Sequence, residues 1–76
     1  MKFENYEIVV LEKDEPAHGL KCGDTGTIVE VYEPDGVEVE FINGAGDTKA
    51  VLTLKENDIR RLSENDILAV RPVNAA

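Results

Sequence analysis

Residues Thr27–Ile42 read TIVEVYEPDGVEVEFI. Two runs rich in β-branched residues, Thr27–Glu33 and Val37–Ile42, flank E-P-D-G, which pairs a turn-forming proline with a glycine. The pattern predicts a β-hairpin. Pro34 suits the first central position of a type I turn, and Gly36 the left-handed residue after it, giving a three-residue loop. That loop sets Glu33 opposite Val37, so that Val31 faces Val39 and Val29 faces Phe41. A two-residue loop would set Val31 against Glu38 and mix the faces. On the other face Glu30 then falls opposite Glu40, and Tyr32 opposite Glu38. Like charges across a ladder repel, so the arrangement calls for solvent screening or for a cation. Lys49 is one internal candidate; a partner's lysine or arginine is another.

Working outward, Asn5–Leu11 (NYEIVVL) reads as a strand with apolar residues on both faces, so its outer side needs a cover. The polar loop EKDEPAHGLKCGD follows, punctuated by Pro16, Gly19 and Gly23. Gly23 and Gly26 permit positive φ where this loop bends into its strand, and Asp24 can bond the turn's backbone. After NGAGD, the run Thr48–Leu54 (TKAVLTL) puts Ala50, Leu52 and Leu54 on the core face. The tetrapeptide E-N-D-I occurs at Glu56 and again at Glu64, read as one turn chemistry used twice, each time a short helical turn leading into extended chain. The run Ile67–Val70 predicts a last strand, placed to cover the outer side of the first. Five or six short strands with a helical turn near the C-terminus describe an all-β chain closed into a small barrel, which removes exposed edges.

The bulk numbers bound the rest. Seventy-six residues make one domain, 1–76, with 63–76 as a C-terminal extension that has room for the extra strand. Such a chain buries only about 60% of the surface exposed when unfolded. With no tryptophan and 5% aromatics, few large side chains remain for a ligand pocket. A single cysteine forms no internal disulfide, and the N-terminus lacks a signal-like apolar run, so a cytoplasmic protein without a membrane span is expected. The net charge of −8 opposes a phosphate-binding surface. Residues 1–47 hold twelve acids and three bases (−9), and residues 48–76 hold four acids and five bases (+1).

The segment Pro16–Tyr32, PAHGLKCGDTGTIVEVY, with VEVEF at 37–41 and AVLTL at 50–54, resembles a family of small bacterial proteins, common in cyanobacteria, whose function is undetermined. The resemblance spans about residues 3–62. It implies an SH3-like barrel and no established activity. Toxin-like gene neighbours in that family imply an antitoxin or immunity role. The G-D-x-G-T-x-V core is also similar to SH3-like folds of KOW-type ribosomal and transcription proteins and of small photosynthetic accessory subunits.

His18 and Cys22 supply two potential metal ligands where a structural zinc site needs four, and no orienting group or oxyanion donor accompanies them as a nucleophile pair. They are expected to be loop residues, with no metal, cofactor or catalytic role. G-D-T-G lacks the phosphate-loop lysine, and Gly44-Ala45-Gly46 lacks the third glycine of a dinucleotide fingerprint. Glu12, Asp14 and Glu15 lack the alternation of a calcium loop. SH3 domains hold polyproline ligands in an aromatic-lined groove, and Phe3, Tyr6, Tyr32 and Phe41 are too few once Phe41 enters the core. Tyr32 among Glu30, Glu38 and Glu40 suits instead an arginine-bearing partner.

The expected function is a non-catalytic, protein-binding accessory module, antitoxin- or immunity-like. Its acidic hairpin face (Glu30, Tyr32, Glu38, Glu40) and its first loop (Glu12, Asp14, Glu15, His18) would meet a basic protein. Two alternatives stand beside it. One is a KOW-type nucleic-acid-binding barrel using Lys49, Lys55, Arg60, Arg61 and Arg71, disfavoured by the charge. The other is a small subunit of a larger enzyme complex using the His18–Cys22 loop. Self-association stays open.

Overall fold

A computed structural model describes residues 2–73. It contains one antiparallel sheet of five strands: β1 (Ile8–Leu11), β2 (Thr25–Tyr32), β3 (Gly36–Ile42), β4 (Thr48–Lys55) and β5 (Ile59–Arg61). Two 3-10 turns, Pro16–His18 and Glu56–Asp58, complete the regular structure, and the described residues contain no α-helix. The spatial order is β4-β3-β2-β1-β5, so the two edge strands are consecutive in the chain. A flat sheet would hold those edges four spacings, roughly 19 Å, apart. The single 3-10 turn between them spans only about 8 Å at 2 Å per residue. The sheet therefore curls strongly about its concave side.

That side holds the core. Val9, Leu11, Ile28, Val37, Val39, Phe41, Leu52, Leu54 and Ile59 come from the five strands, with Phe3 and Leu20 from the loops. Ala50, Leu52 and Leu54 share the inner face as the alternation of TKAVLTL predicts, with Ala50 packed at its margin. Each large aliphatic chain so buried contributes roughly 1.5–3 kcal/mol from the removal of apolar surface from water.

The central hairpin keeps its three-residue loop but slides it. Glu33, Pro34 and Asp35 form the turn, and Tyr32 pairs with Gly36, Val31 with Val37 and Glu30 with Glu38. Gly36 does not adopt the expected left-handed conformation; it enters β3 and also pairs with Lys55 of β4. Moving the loop by one residue shifts the register by two, which preserves the faces. A bulge between Ile28 and Glu30 then changes the pairing again, to Ile28 with Val39 and Thr27 with Glu40. The expected contacts Val31–Val39 and Val29–Phe41 are thereby corrected. Ile28 is the fully buried residue and Val29 sits half-buried at the bulge. The extra residue lets Ile28 and Val31 both face the core although their spacing is odd.

Gly26 has a different role from the one expected. Its φ is not positive, but a Cβ there would lie 2.5 Å from Val39 Cγ1 and 2.9 Å from the Phe41 ring. Close packing of β2 on the core, not backbone freedom, requires the glycine. Gly23, with φ of +98°, does supply the left-handed bend.

The expected last strand is also corrected. Ile59–Arg61 pairs with β1, whereas Ile67–Val70 joins no strand. Ile67 is 91% exposed and Val70 fully exposed. The two E-N-D-I copies do share one turn chemistry. Asp58 Oδ2 accepts the Lys55 N–H at 3.2 Å, and Asp66 Oδ2 accepts the Ser63 N–H at 2.7 Å. Only the first copy leads into a strand, because only it arrives beside β1's open edge. The segment after the second copy still reaches the outer side of β1. Val10 is buried yet stands outside the core cluster, in a groove of about 690 Å³ that it lines with Leu20, Leu62, Leu68 and Ala69. Residues 74–76 of the expected extension lie outside the described residues.

Candidate partner-binding face

The convex side of the hairpin carries the residues singled out for recognition. Alternation along β2 and β3 sends Val31, Val37 and Val39 inward, so Glu30, Tyr32, Glu38 and Glu40 belong to the opposite face. Pairing builds a row Glu30–Glu38–Thr53 across β2, β3 and β4, and beside it a row Thr27–Glu40–Val51. Thr53 Oγ1 donates to Glu38 Oε1 at 3.2 Å, and Thr48 Oγ1 donates to Glu40 Oε2 at 2.6 Å. These hydroxyls orient the two carboxylates without neutralising them. No lysine or arginine among the described residues forms an ion pair with Glu30, Glu38 or Glu40. Lys49, the internal candidate, pairs with none of them.

Tyr32 is 43% exposed beside this row. Its hydroxyl is held above the ordinary phenol range, first by partial desolvation and then by the Glu38 and Glu30 charges and a hydrogen bond to Glu38. Glu30, Tyr32 and Glu38 therefore form one electrostatic group, and Glu40 lies one row away.

The first-loop acids have internal partners. Glu12 pairs with Arg60 Nε at 2.9 Å, and Glu15 with Lys13 at 3.3 Å. Asp14 Oδ1 accepts the Cys22 N–H at 2.8 Å. Glu15 and Leu20 also form an isolated antiparallel bridge that closes the loop around the Pro16–His18 turn. His18 and Cys22 are exposed at the loop surface. The loop carboxylates are thus each engaged by the chain's own cations or backbone, in contrast to those of the hairpin face.

Three further arginine–carboxylate pairs, like the loop pairs, had no counterpart in the sequence. Arg61 binds Glu7 (Nε to Oε2, 2.5 Å) and covers the Phe3 ring, its guanidinium 4.8 Å from the ring centre. Arg60, besides Glu12, grips Asp66 with two hydrogen bonds of 2.9 and 3.0 Å. Arg71 Nε donates to Asp24 Oδ1 at 2.9 Å, and its Nη2 bonds both Asp24 Oδ2 and the Gly19 carbonyl, the latter at 2.9 Å. The extended segment Ile67–Val70 is thus strung between two ion pairs. The Arg71–Asp24 and Arg61–Glu7 partners lie 47 and 54 residues apart, beyond the reach of any local spacing rule.

These pairs set a pH dependence. The Arg60 hydrogen bonds hold the Asp66 carboxyl down at about 2, against an ordinary 3.8. Burial pushes the Asp24 carboxyl up, but Arg71 and the Lys21 N–H outweigh it and the net shift is downward. A carboxyl depressed in the folded state stabilises it above the unfolded pKa and loses that contribution as pH falls through the folded value. The Asp66 tie should accordingly lose its contribution between about pH 4 and pH 2, and the Asp24 tie should lose its own as pH falls below the ordinary 3.8. Carbon-detected NMR titration should find both carboxyls below 3.8. Arg71→Ala should bring Asp24 back up while leaving Asp66 in place; an unmoved Asp24 would refute the tie.

Among comparisons with known proteins, the family model described as a domain of unknown function (DUF4926) matches residues 5–61. No curated protein and no solved structure matches the chain.

Proposed function

The chain belongs to the DUF4926 family, and from that premise we propose that it is a non-catalytic protein-binding module whose acidic hairpin face docks a basic partner. The observation that carries this reading is the group Glu30–Tyr32–Glu38, two carboxylates beside a half-exposed phenol with no ion-paired cation among the described residues. An arginine side chain answers all three, through ion pairs to the carboxylates and stacking on the ring. The antitoxin- or immunity-like version is the most concrete: a small acidic protein occupies the basic nucleic-acid groove of a toxin, in the cytoplasm. The finer fold reading belongs to the same proposal. Edge strands joined by one 3-10 turn support closure into an SH3-like barrel.

The nucleic-acid alternative loses its best cations to internal pairing, since Arg60, Arg61 and Arg71 are each bound to a carboxylate. Neutralised arginines release no counterions from a phosphate backbone.

A pull-down from cell extract at low and high salt tests the reading, with Glu30→Lys/Glu38→Lys as the comparison. Capture should weaken at least about tenfold between 50 and 500 mM salt, because exposed charges are screened beyond a few Å at high ionic strength. The reversed variant should capture nothing at either salt. Equal capture by both proteins would reject the hairpin face as the docking surface.

A further inference from the structure

The chain beyond β5 is attached to the sheet in a way of its own. All five strands are complete at Arg61. Among the described residues, no backbone group of residues 67–70 forms a hydrogen bond. A segment without ladder bonds is held by side chains, yet Ile67, Leu68 and Val70 bury little of themselves, being 91%, 72% and 100% exposed. What holds it is a clamp at each end: Arg60 on Asp66, and Arg71 on Asp24 and the Gly19 carbonyl. Between the clamps, Leu68 and Ala69 line one groove with Val10, which is only 5% exposed although it lies outside the core.

We infer that residues 63–71 form a strap that opens as one unit while the five strands stay folded, and that opening uncovers Val10. Leu62 marks the hinge, because its N–H, bonded to the Ile8 carbonyl at 3.3 Å, is the last one tied to a strand. Opening releases arginine–carboxylate pairs and wets one valine. It breaks no strand pairing and leaves the concave core intact. Such local openings lie well below global unfolding in free energy. With nothing fastened between the clamps, loss of Arg71 frees everything beyond Asp66. Closed, the strap hides an apolar step in the outward row Arg60–Val10–Thr25. Thr27, next on that face of β2, pairs with Glu40, so the strap gates an apolar extension of the acidic face.

Thiol accessibility in the full chain tests the strap. Val10→Cys in a Cys22→Ser background places a single thiol beneath it. That thiol should react with dithionitrobenzoate well below the unfolding transition and with little dependence on urea, since a local opening exposes little surface. Arg71→Ala should speed the reaction at least roughly tenfold, the effect of losing a charge-assisted clamp. Ile28→Val weakens the sheet equally with the strap closed or open, so it should leave the reaction within about twofold while raising the unfolded fraction several-fold. Circular dichroism in urea supplies that unfolded fraction. Labelling that follows global unfolding in urea, that rises with Ile28→Val, or that ignores Arg71→Ala would overturn the inference. If Val10→Cys fails to fold, heteronuclear NOE values of Arg71→Ala in the otherwise native chain decide instead. They should fall for residues 67–71 and hold for the five strands; values unchanged at 67–71, or lowered throughout, would overturn it.

Discussion

Ile28→Ala is expected to cost about 2–5 kcal/mol of folding stability, the range for truncating a fully buried aliphatic side chain whose cavity cannot collapse. Ile28 has no exposure and lies opposite Val39, itself fully buried, at the centre of the concave face. A domain of this size has only roughly 5–10 kcal/mol in hand. At 4–8 °C per kcal/mol, the melting temperature should drop by at least about 10 °C. The companion variant Val29→Ala makes the test sharp, because an unbulged hairpin would put Val29, not Ile28, in the core. With the bulge, Val29→Ala should cost less than half as much. Thermal unfolding followed by far-ultraviolet circular dichroism reads both; equal losses, or a larger one at Val29, would remove the bulge.

Gly26→Val should be as damaging from the opposite direction, by overpacking. Even the first added carbon would stand 2.5 Å from Val39 Cγ1, 2.9 Å from Phe41 Cε1 and 3.0 Å from the Glu40 carbonyl oxygen. Valine is stiff at χ1 and the carbonyl is part of the β3 ladder, so neither neighbour can yield without moving the strand. Gly26→Ala should cost about 1–3 kcal/mol, and the valine more, leaving little folded protein at 37 °C. Shortening the obstacle should rescue part of the loss. In denaturant unfolding, Gly26→Ala with Val39→Ala is expected to be less destabilised than the sum of the two single changes. Strict additivity would mean that the clash is relieved elsewhere.

The candidate site divides along the same line as the fold. Glu30, Tyr32 and Glu38 stand together because period-2 alternation sends them to one face whichever of two same-parity registers forms. The first-loop acids looked equivalent in sequence, since a carboxylate's identity does not reveal its partner. Glu12 and Glu15 are held by Arg60 and Lys13, and Asp14 caps the Cys22 N–H. The carboxylates that matter most to the C-terminal segment, Asp24 and Asp66, drew attention only as turn formers.

Local chemistry was legible wherever neighbouring residues settle it. Alternation marked the runs that become β2, β3 and β4, Gly23 its left-handed bend, and the repeated E-N-D-I a turn used twice, of which only the first copy is helical. Apolar residues on both faces of β1 announced a cover for its outer side, which the structure supplies at Val10 and leaves half-open at Ile8. Tertiary contact decided the rest: the slipped loop, the bulge that hands the core to Ile28, the need for Gly26, and the choice of Ile59–Arg61 over Ile67–Val70 as the strand beside β1. Both apolar runs can form a strand by composition. The one that does so is delivered to β1's open edge by a single short turn, and that placement depends on how the whole sheet curls, a property no window of sequence contains.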